Sequence, residues 1–448
     1  MTTGSPGKNI LYFALPVFAG NLFQQIYNVV DTVIVGKFVS TEALAAVGST
    51  GTINFMILGF MTGLMAGITV LTSQRFGAGD MKGMRKSVVS AGVIALAATI
   101  ILTAISLLGM HRLLVLMNTP DDIFDDAYRY IMIICAGILV QALYNLFACI
   151  LRALGNSKIP LYFLIISALL NIVLDLVLII VFQMGAPGAA IATVVAQGIS
   201  GVLCLIYIMW KIPLLHLKKE DWHVGGQIYA IQLKIGLPMA LQYSITAIGT
   251  MMVQSALNIL GSTLVAAFTA ASKIEQVVTQ AYVAMGTTMA TYGAQNIGAG
   301  NVPRIRQGFK ACTILGIGYS LVAATFIMTV GKYMTYLFVS TDVDIIMSSV
   351  DIYLKCIGFF FIPLAIVNIY RNGIQGLGYG LLPMMAGVAE LIGRGVVARI
   401  AARERSYLGV CLASPAAWVL AGGLLIAMYY YIMNVHMKKL FGDYNQKV

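Results

Sequence analysis

Long apolar runs dominate this sequence and leave few folds open to it. Twelve of them, most about 20 residues or longer, follow one another between residues 10 and 433. Such runs can cross a bilayer as α-helices, and they lack the polar–apolar alternation of a transmembrane β-barrel. Because 59% of the residues are hydrophobic and only 10% are charged, we predict an all-α polytopic membrane protein with twelve transmembrane helices.

Charge is distributed unevenly over the loops between the runs. Lysine and arginine, with Arg371 counted among them, collect in alternate loops, and aspartate collects near 121–126 and 342–351. Basic loops stay in the cytoplasm, so we predict an inner (cytoplasmic) membrane location with both termini cytoplasmic. Three bases between the eleventh and the twelfth run depart from this pattern because they would lie outside: Arg399, Arg403 and Arg405. The net charge of +11 is scattered singly and does not indicate nucleic-acid binding.

Cysteine and histidine, the residues most typical of metal centres and of many enzyme active sites, are not clustered in the sequence. The six cysteines fall in or beside apolar runs without CxxC or CxxH spacing, and the four histidines are scattered over loops and the tail. We interpret the cysteines as small buried hydrophobic residues. We predict no enzyme activity, no catalytic residues, no cofactor and no metal site other than one for a coupling sodium ion.

The two halves of the chain repeat one another. Residues 74–79 (QRFGAG) return as 295–300 (QNIGAG), 221 residues later, and Pro16 returns as Pro238 at nearly the same offset. Each half has an even number of spans, so the copies share one topology and are expected to relate by an axis along the membrane normal.

The most polar connection lies between the sixth and the seventh run. We therefore predict an N-terminal six-helix lobe at 1–210, a cytoplasmic inter-lobe linker at 211–227, a C-terminal six-helix lobe at 228–433 and a cytoplasmic tail at 434–448. Two such lobes would enclose a central cleft, and rocking of one lobe against the other would give alternating access. Because the chain is duplicated, we expect it to function as a monomer.

Acidic residues inside the apolar runs are the strongest functional signal. Asp31 is flanked by valine and isoleucine, and a carboxylate near a bilayer centre costs about 2.5–3.5 kcal/mol unless it is protonated, paired or facing water. Gln25, Tyr27 and Asn28 lie within two helical turns and favour a polar cavity that could form part of a substrate cleft. Asp175 is the second acid, and the N-terminal half offers no buried base to either.

Polar neighbours of the second acid suggest what neutralises the pair. Asn171 lies one helical turn before Asp175, and Thr193 follows a small-residue run in the next span. If the fifth span meets the first, Asp31 joins them in an oxygen-rich set. Such a set suits a hard cation such as sodium and equally suits a protonatable cluster. The alternative is a polar clamp between helices without an ion.

The C-terminal half has a different balance of charge. Lys273, Glu275, Glu390 and Arg394 sum to zero. Glu390 and Arg394 are four residues apart, face the same side of a helix and are predicted to form a structural ion pair. Glu275 is either a second coupling site in the cleft or half of a neutralised pair with Lys273.

Taken in order, these motifs resemble the multidrug and toxic compound extrusion (MATE) transporters. The resemblance covers the whole chain, and its marks are Pro16, 25–28 (QIYN) with Asp31, 43–47 (ALAAV), the doubled QxxGAG element, 185–190 (GAPGAA) leading to Thr193, and Glu390 with Arg394. It implies twelve helices arranged as 6+6. It also implies export of organic cations and other amphiphiles, driven by inward sodium ions or protons.

Two branches of the family differ in their acidic sites. DinF-like and archaeal members carry an aspartate on span one, an asparagine and an aspartate four apart on span five, and a threonine on span six. Asp31, Asn171, Asp175 and Thr193 match that set one by one. NorM-like members also carry an aspartate in span ten. Here that span has only Asp351 at its outer edge, so the usual companion of Glu275 is absent from the sequence.

The resemblance therefore implies a secondary active multidrug efflux transporter. It would export cationic or amphiphilic small molecules across the bilayer in antiport with Na⁺ or H⁺. The alternative within the superfamily is a lipid-linked oligosaccharide flippase, which would need a large cationic cavity for pyrophosphate. The few buried bases lie close to acids, which argues against that alternative. A membrane enzyme would need clustered His, Asp or Ser at an interface, which the sequence lacks.

Overall fold

Helices make up all of the regular secondary structure in residues 1–117, 119–337 and 343–441, which the computed structural model of the chain describes. This agrees with the predicted all-α class. Position 342 of the acidic loop and positions 442–448 of the predicted tail lie outside the described residues.

The helices of the two halves follow in chain order. The first half contains α1 (Pro6–Phe38), α2 (Thr41–Ser49), α3 (Gly51–Ile68), α4 (Val70–Gly77), α5 (Met81–Leu116), α6 (Asp121–Ala136), α7 (Ile138–Ala153), α8 (Lys158–Leu176) and α9 (Gly185–Lys211). The second half contains α10 (Gly226–Asn258), α11 (Ser262–Gly298), α12 (Val302–Thr329), α13 (Val343–Phe359), α14 (Phe361–Gly376), α15 (Leu381–Arg403), α16 (Tyr407–Tyr431) and α17 (Met437–Phe441).

Twelve segments of the described chain are long enough to cross a bilayer. Seven pass by length and apolar composition, and the bent pairs α6–α7 and α13–α14 bring the number to nine. The other three are α1, α10 and α11, with 33, 33 and 37 residues, each about 50 Å or longer at 1.5 Å per residue. Polar residues such as Asp31 in α1 and Glu275 in α11 make these helices less apolar. The number matches the twelve predicted spans.

The chain forms two compact units that exchange the starts of two helices. Unit 1 comprises Met1–Phe18 and Ser244–Val448, and unit 2 comprises Ala19–Tyr243. The boundaries fall inside α1 and inside α10, so the start of α1 belongs with the second half and the start of α10 with the first. The lobe boundaries at 1–210 and 228–433 stay a prediction.

Close backbone approach holds the start of α10 in unit 2. A Cβ atom added to Gly67 of α3 would lie 2.5 Å from the Cα atom of Gly236, and one added to Gly63 would lie 2.7 Å from the carbonyl oxygen of Met239. Only residues without a side chain allow helices to pack at this separation, which is typical of membrane bundles.

Large aromatic side chains fill the interior of unit 1. Tyr282, Tyr292, Phe309 and Phe361 are almost completely buried. The ring centroids of Phe309 and Tyr429 lie 4.5 Å apart, which joins α12 to α16. Aromatic pairs at this separation add to the stability gained from burial alone.

The repeated QxxGAG element has the same structure in both halves. Gly79 and Gly300 have φ angles of 72° and 69°, in the left-handed region that favours glycine. The next residues, Asp80 and Asn301, cap α5 and α12 by accepting the backbone N–H three residues on, at 2.8 and 3.2 Å. The element is therefore a turn followed by a capped helix start.

Candidate functional site

Three helices of unit 2 contribute the polar residues expected from the sequence. Asp31 lies on α1, Asn171 and Asp175 lie one turn apart on α8, and Thr193 lies on α9. Asp31, Asn171 and Asp175 are buried, with 9%, 2% and 0% of their surface exposed. The fold therefore brings the first and the fifth predicted spans together around these side chains.

The two carboxyl groups are in direct contact. The side chains of Asp31 and Asp175 lie within hydrogen-bonding reach of one another. Ionised carboxylates only accept hydrogen bonds, so a hydrogen bond between these two forms when one of them carries a proton. Their Oδ1 atoms are also buried, and no partner for either is found in the described parts of the chain.

Asn171 joins the carboxyl pair to α9. With its amide nitrogen turned toward Asp175, it donates to Oδ2 at 3.2 Å and accepts the backbone N–H of Thr193 at 3.2 Å. In the opposite orientation its nitrogen faces Thr193 Oγ1 at 3.3 Å. The first orientation satisfies both ends of the amide and is the one that we adopt.

Two further residues of the site, Gln197 and Tyr130, were not identified from the sequence. The hydroxyl group of Tyr27 is hydrogen-bonded to the side chain of Gln197, and Tyr130 lies near both carboxyl groups. Gln197 follows Thr193 by four residues on the same face of α9, a spacing that could have identified it. Tyr130 comes from α6, and no local pattern points to it.

Two other sequence candidates do not join the pair. Asn28 is exposed, and its backbone oxygen accepts the hydroxyl of Thr32 at 2.8 Å. Gln25 is half-buried. Within the residues that the structure describes, no hydrogen bond connects either side chain to Asp31 or Asp175.

The carboxyl pair of unit 2 is not neutralised by a buried base. Among the described residues, the arginine and lysine side chains classed as buried are Arg304, Arg371 and Arg394, all in unit 1. A buried carboxylate without a base is stable only with a proton, a cation or water. The site can therefore hold and release a proton, or a cation in its place.

Unit 1 contains a neutral charge cluster instead. Glu390 Oε1 accepts Arg394 Nη2 at 2.8 Å, and Glu390 Oε2 accepts Arg371 Nη2 at 2.5 Å. Glu275 accepts the hydroxyl of Tyr353 and lies within electrostatic range of Arg394. The negative charges of Glu275 and Glu390 balance the positive charges of Arg371 and Arg394.

Two basic residues of unit 1, Lys273 and Arg371, are placed differently from the sequence interpretation. Lys273 is exposed, and the charges near Glu275 come from α15. Arg371, assigned to a loop from its position at the end of an apolar run, lies inside α14 and is only 9% exposed. Arg371 is therefore a buried base that the sequence interpretation did not count, and its ion pair with Glu390 offsets the burial of the guanidinium group.

A duplicated bundle with buried carboxyl groups that lack a base is the architecture of an ion-coupled membrane transporter. A family model described as MatE matches residues 16–177 and 235–400, one match in each half. The chain belongs to this family, the MATE transporters, which couple transport to Na⁺ or H⁺.

Relatives and solved structures agree with this assignment. The chain is 32% identical over 386 residues to the probable multidrug resistance protein YpnP of Bacillus subtilis, covering 86% of this chain and 85% of the relative. It is 24% identical to the probable multidrug resistance protein NorM of Thermotoga maritima, covering 84% and 82%. A crystal structure of MATE in complex with MaL6 superimposes with a TM-score of 0.91 at 22% identity, covering 97% and 98% of the two chains. The predicted fold and family are confirmed.

Proposed function

We propose that this chain is a secondary active multidrug efflux transporter that exports cationic or amphiphilic small molecules in antiport with Na⁺ or H⁺. The observation that carries the proposal is the pair of neighbouring carboxyl groups Asp31 and Asp175, buried in unit 2 with no buried base beside them in the described part of the chain. Exchange of an ion at this pair changes the charge inside the membrane. The multidrug resistance proteins among its relatives support the same function.

The proposed cycle uses α1 to connect ion binding to substrate release. In the outward-facing state the pair takes up an ion, and its neutralisation lets α1 repack or bend near Pro16 and weakens substrate binding. The empty carrier turns inward, releases the ion and takes another substrate. Coupling requires that ion and substrate prefer different states of the carrier. Gln25, Tyr27 and Asn28 are proposed to face the substrate.

The site suits either coupling ion. A proton shared by the two carboxyl groups would leave the amide of Asn171 donating to Asp175. Sodium would require that amide to turn, after which Asp31, Asn171, Asp175 and Thr193 would supply four oxygen ligands.

We propose that the cluster of unit 1 is structural and does not bind the coupling ion. Its charges cancel, and the carboxylate of Glu390 is held by two guanidinium groups. The same pairing disfavours the flippase alternative, because Arg371 and Arg394 are engaged by an acid and are not presented to a pyrophosphate.

We further propose an inner-membrane location, both termini in the cytoplasm and a monomeric working unit. The loop charges support the orientation, and the internal duplication supports the monomer. On this orientation the linker at 211–227 lies in the cytoplasm, between the lobes at 1–210 and 228–433.

The function can be tested by ethidium transport in proteoliposomes. An imposed sodium gradient at fixed pH is compared with a pH gradient in the absence of sodium. We expect transport under at least one gradient, and its loss in Asp31→Asn and Asp175→Asn. The matched control is Asp351→Asn, because this carboxylate pairs with Lys355 on the surface of α13 and should leave transport unchanged. Normal export by folded Asp31→Asn protein would contradict the proposal.

A further inference from the structure

Helix α1 belongs to the first half of the sequence, but it begins in unit 1, which is built mainly from the second half. Helix α10 belongs to the second half, but it begins in unit 2, which is built from the first half and the start of α10. The unit boundary crosses α1 between Phe18 and Ala19, shortly after Pro16, and it crosses α10 between Tyr243 and Ser244, shortly after Pro238. Proline removes one backbone hydrogen bond from a helix and makes bending easier there. Both boundaries therefore lie near a built-in weak point of the helix.

A buried ion pair holds the segment that leads into α10. Arg85, near the start of α5, donates through Nε to Asp221 Oδ2 at 2.8 Å, and Asp221 is completely buried. The same oxygen accepts the backbone N–H of Lys218 at 2.9 Å. Burial raises the pKa of Asp221, but these hydrogen bonds and the charge of Arg85 outweigh it and hold the pKa below its usual range. The Asp221 carboxylate is thus charged at neutral pH.

Gln232, two turns into α10, reinforces this attachment. Its Nε2 atom donates to the carbonyl oxygens of Ile68 at 2.9 Å and Ser87 at 2.8 Å, and the side chain is completely buried. We name this attachment the linker clamp; it consists of Arg85, Asp221 and Gln232.

A second attachment holds the segment that leads into α1. The guanidinium group of Arg304, near the start of α12, donates to the carbonyl oxygens of Met1, Thr3 and Gly4 at 2.8 to 3.2 Å. Arg304 is 9% exposed, and its backbone oxygen accepts the hydroxyl of Tyr292 at 3.0 Å. We name this arrangement the lead-in clamp.

The two clamps occupy corresponding places in the internal repeat. Each arginine lies in the helix start that follows a QxxGAG turn, Arg85 after the first copy and Arg304 after the second. The two arginines are not at identical positions of the repeat. At the 221-residue offset Arg304 corresponds to Gly83, which lies two residues before Arg85 and within one helical turn of it. Each copy of the repeated element therefore holds the beginning of the other half's first helix.

We propose that the linker clamp and the lead-in clamp position α1 and α10 for transport, by keeping their first turns fixed so that both helices bend near the prolines. Removing one partner of a buried ion pair is strongly destabilising, so the linker clamp should stay closed while a proline-weakened helix bends. Asp31 lies beyond Pro16 in α1, so the lead-in clamp acts on the ion site through this helix. The inference rests on the proposed transport function.

Loosening each clamp separately tests this assignment by hydrogen exchange. Asp221→Asn should raise amide exchange about five- to thirtyfold in residues 219–243 and leave residues 1–18 unchanged. Arg304→Gln should give the reverse pattern. The control is Glu220→Gln, because Glu220 is exposed and lies 3.6 Å from Lys82 in a surface pair. Equal exchange in the variants and the control would overturn the proposal, even if no substrate is ever found.

Kinetics separate positioning from a merely structural role. We expect turnover of ethidium to fall in both variants while its KM stays within about twofold of the parent value. A parallel loss of affinity would indicate general damage and would contradict positioning.

Bridging the linker clamp gives the opposite test. In a background lacking the six native cysteines, Arg85→Cys with Asp221→Cys should slow transport, and a bifunctional thiol reagent that joins the two positions should restore it. If bridging abolishes the remaining transport, the clamp must open in every cycle and the proposal is wrong.

Discussion

Buried carboxyl groups have different partners in the two units. Among the described residues, Asp31 and Asp175 contact each other with no buried base beside them, and Glu390 is held between two guanidinium groups. In a low dielectric the aspartate pair needs a bound proton or cation to be neutralised, whereas the charges of Glu390 and Glu275 balance those of the two arginines. The residue types alone would not separate these roles, because the partners decide them.

The role of Glu390 gives a prediction at this scale. Glu390→Gln leaves Arg371 and Arg394 buried without their carboxylate, and loss of one partner of a buried pair costs about 3–5 kcal/mol. We expect a clear fall in the Tm of the purified protein. Lys273→Ala is the control, because its exposed side chain should change the Tm little. An unchanged Tm in Glu390→Gln would show that the cluster does not stabilise unit 1.

Helix packing in this protein depends on glycines at a few close approaches. At Gly67 an added Cβ would lie 2.5 Å from Gly236, which is backbone and cannot turn away. At Gly92 of α5 an added Cβ meets nothing within 4 Å. Both residues are glycines within helices, and the sequence around them does not show which one lies at a close helix contact.

These glycines give a prediction at the scale of elements. Gly67→Ala should force α3 and α10 apart and destabilise the protein by about 1–3 kcal/mol, as overpacking commonly does. Gly92→Ala should be neutral within about 0.5 kcal/mol. Thermal unfolding of the two variants in the same detergent makes the comparison. A larger loss in Gly92→Ala than in Gly67→Ala would contradict the packing described here.

At the scale of the whole molecule, the exchange of helix starts ties the two halves of the sequence together. Unit 1 needs Met1–Phe18 from the first half, and unit 2 needs the beginning of α10 from the second. The connection at 211–227 is therefore not the sole link between the halves.

A cut in this connection should leave the protein assembled. A protease site inserted between Gly225 and Gly226, where an added Cβ meets nothing within 4 Å, would separate residues 1–225 from 226–448. We expect the two fragments to elute together from size exclusion in mild detergent, since Gln232 and the start of α10 stay packed in unit 2. Separation of the fragments would show that the exchanged helix starts do not hold the molecule together.

Features of the sequence alone were enough to predict the class of this protein and its twelve helices. Apolar runs of membrane-spanning length permit helices and little else, and the recurrence of QxxGAG reveals the duplication. It also identified Asp31, Asn171, Asp175 and Thr193 as candidates, because acids are costly in apolar runs and the spacing of Asn171 and Asp175 places them on one helix face.

Which of these side chains meet became clear only from the packing of the folded chain. The contact between Asp31 and Asp175, the presence of Tyr130 beside them and the pairing of Arg371 with Glu390 join helices that are distant in the sequence. The exchange of helix starts is also invisible in the sequence, because a hydrophobic run predicts that a helix forms but not against which neighbour it packs. Periodicity records local geometry, and partners across a bundle are selected by the packing of the whole chain.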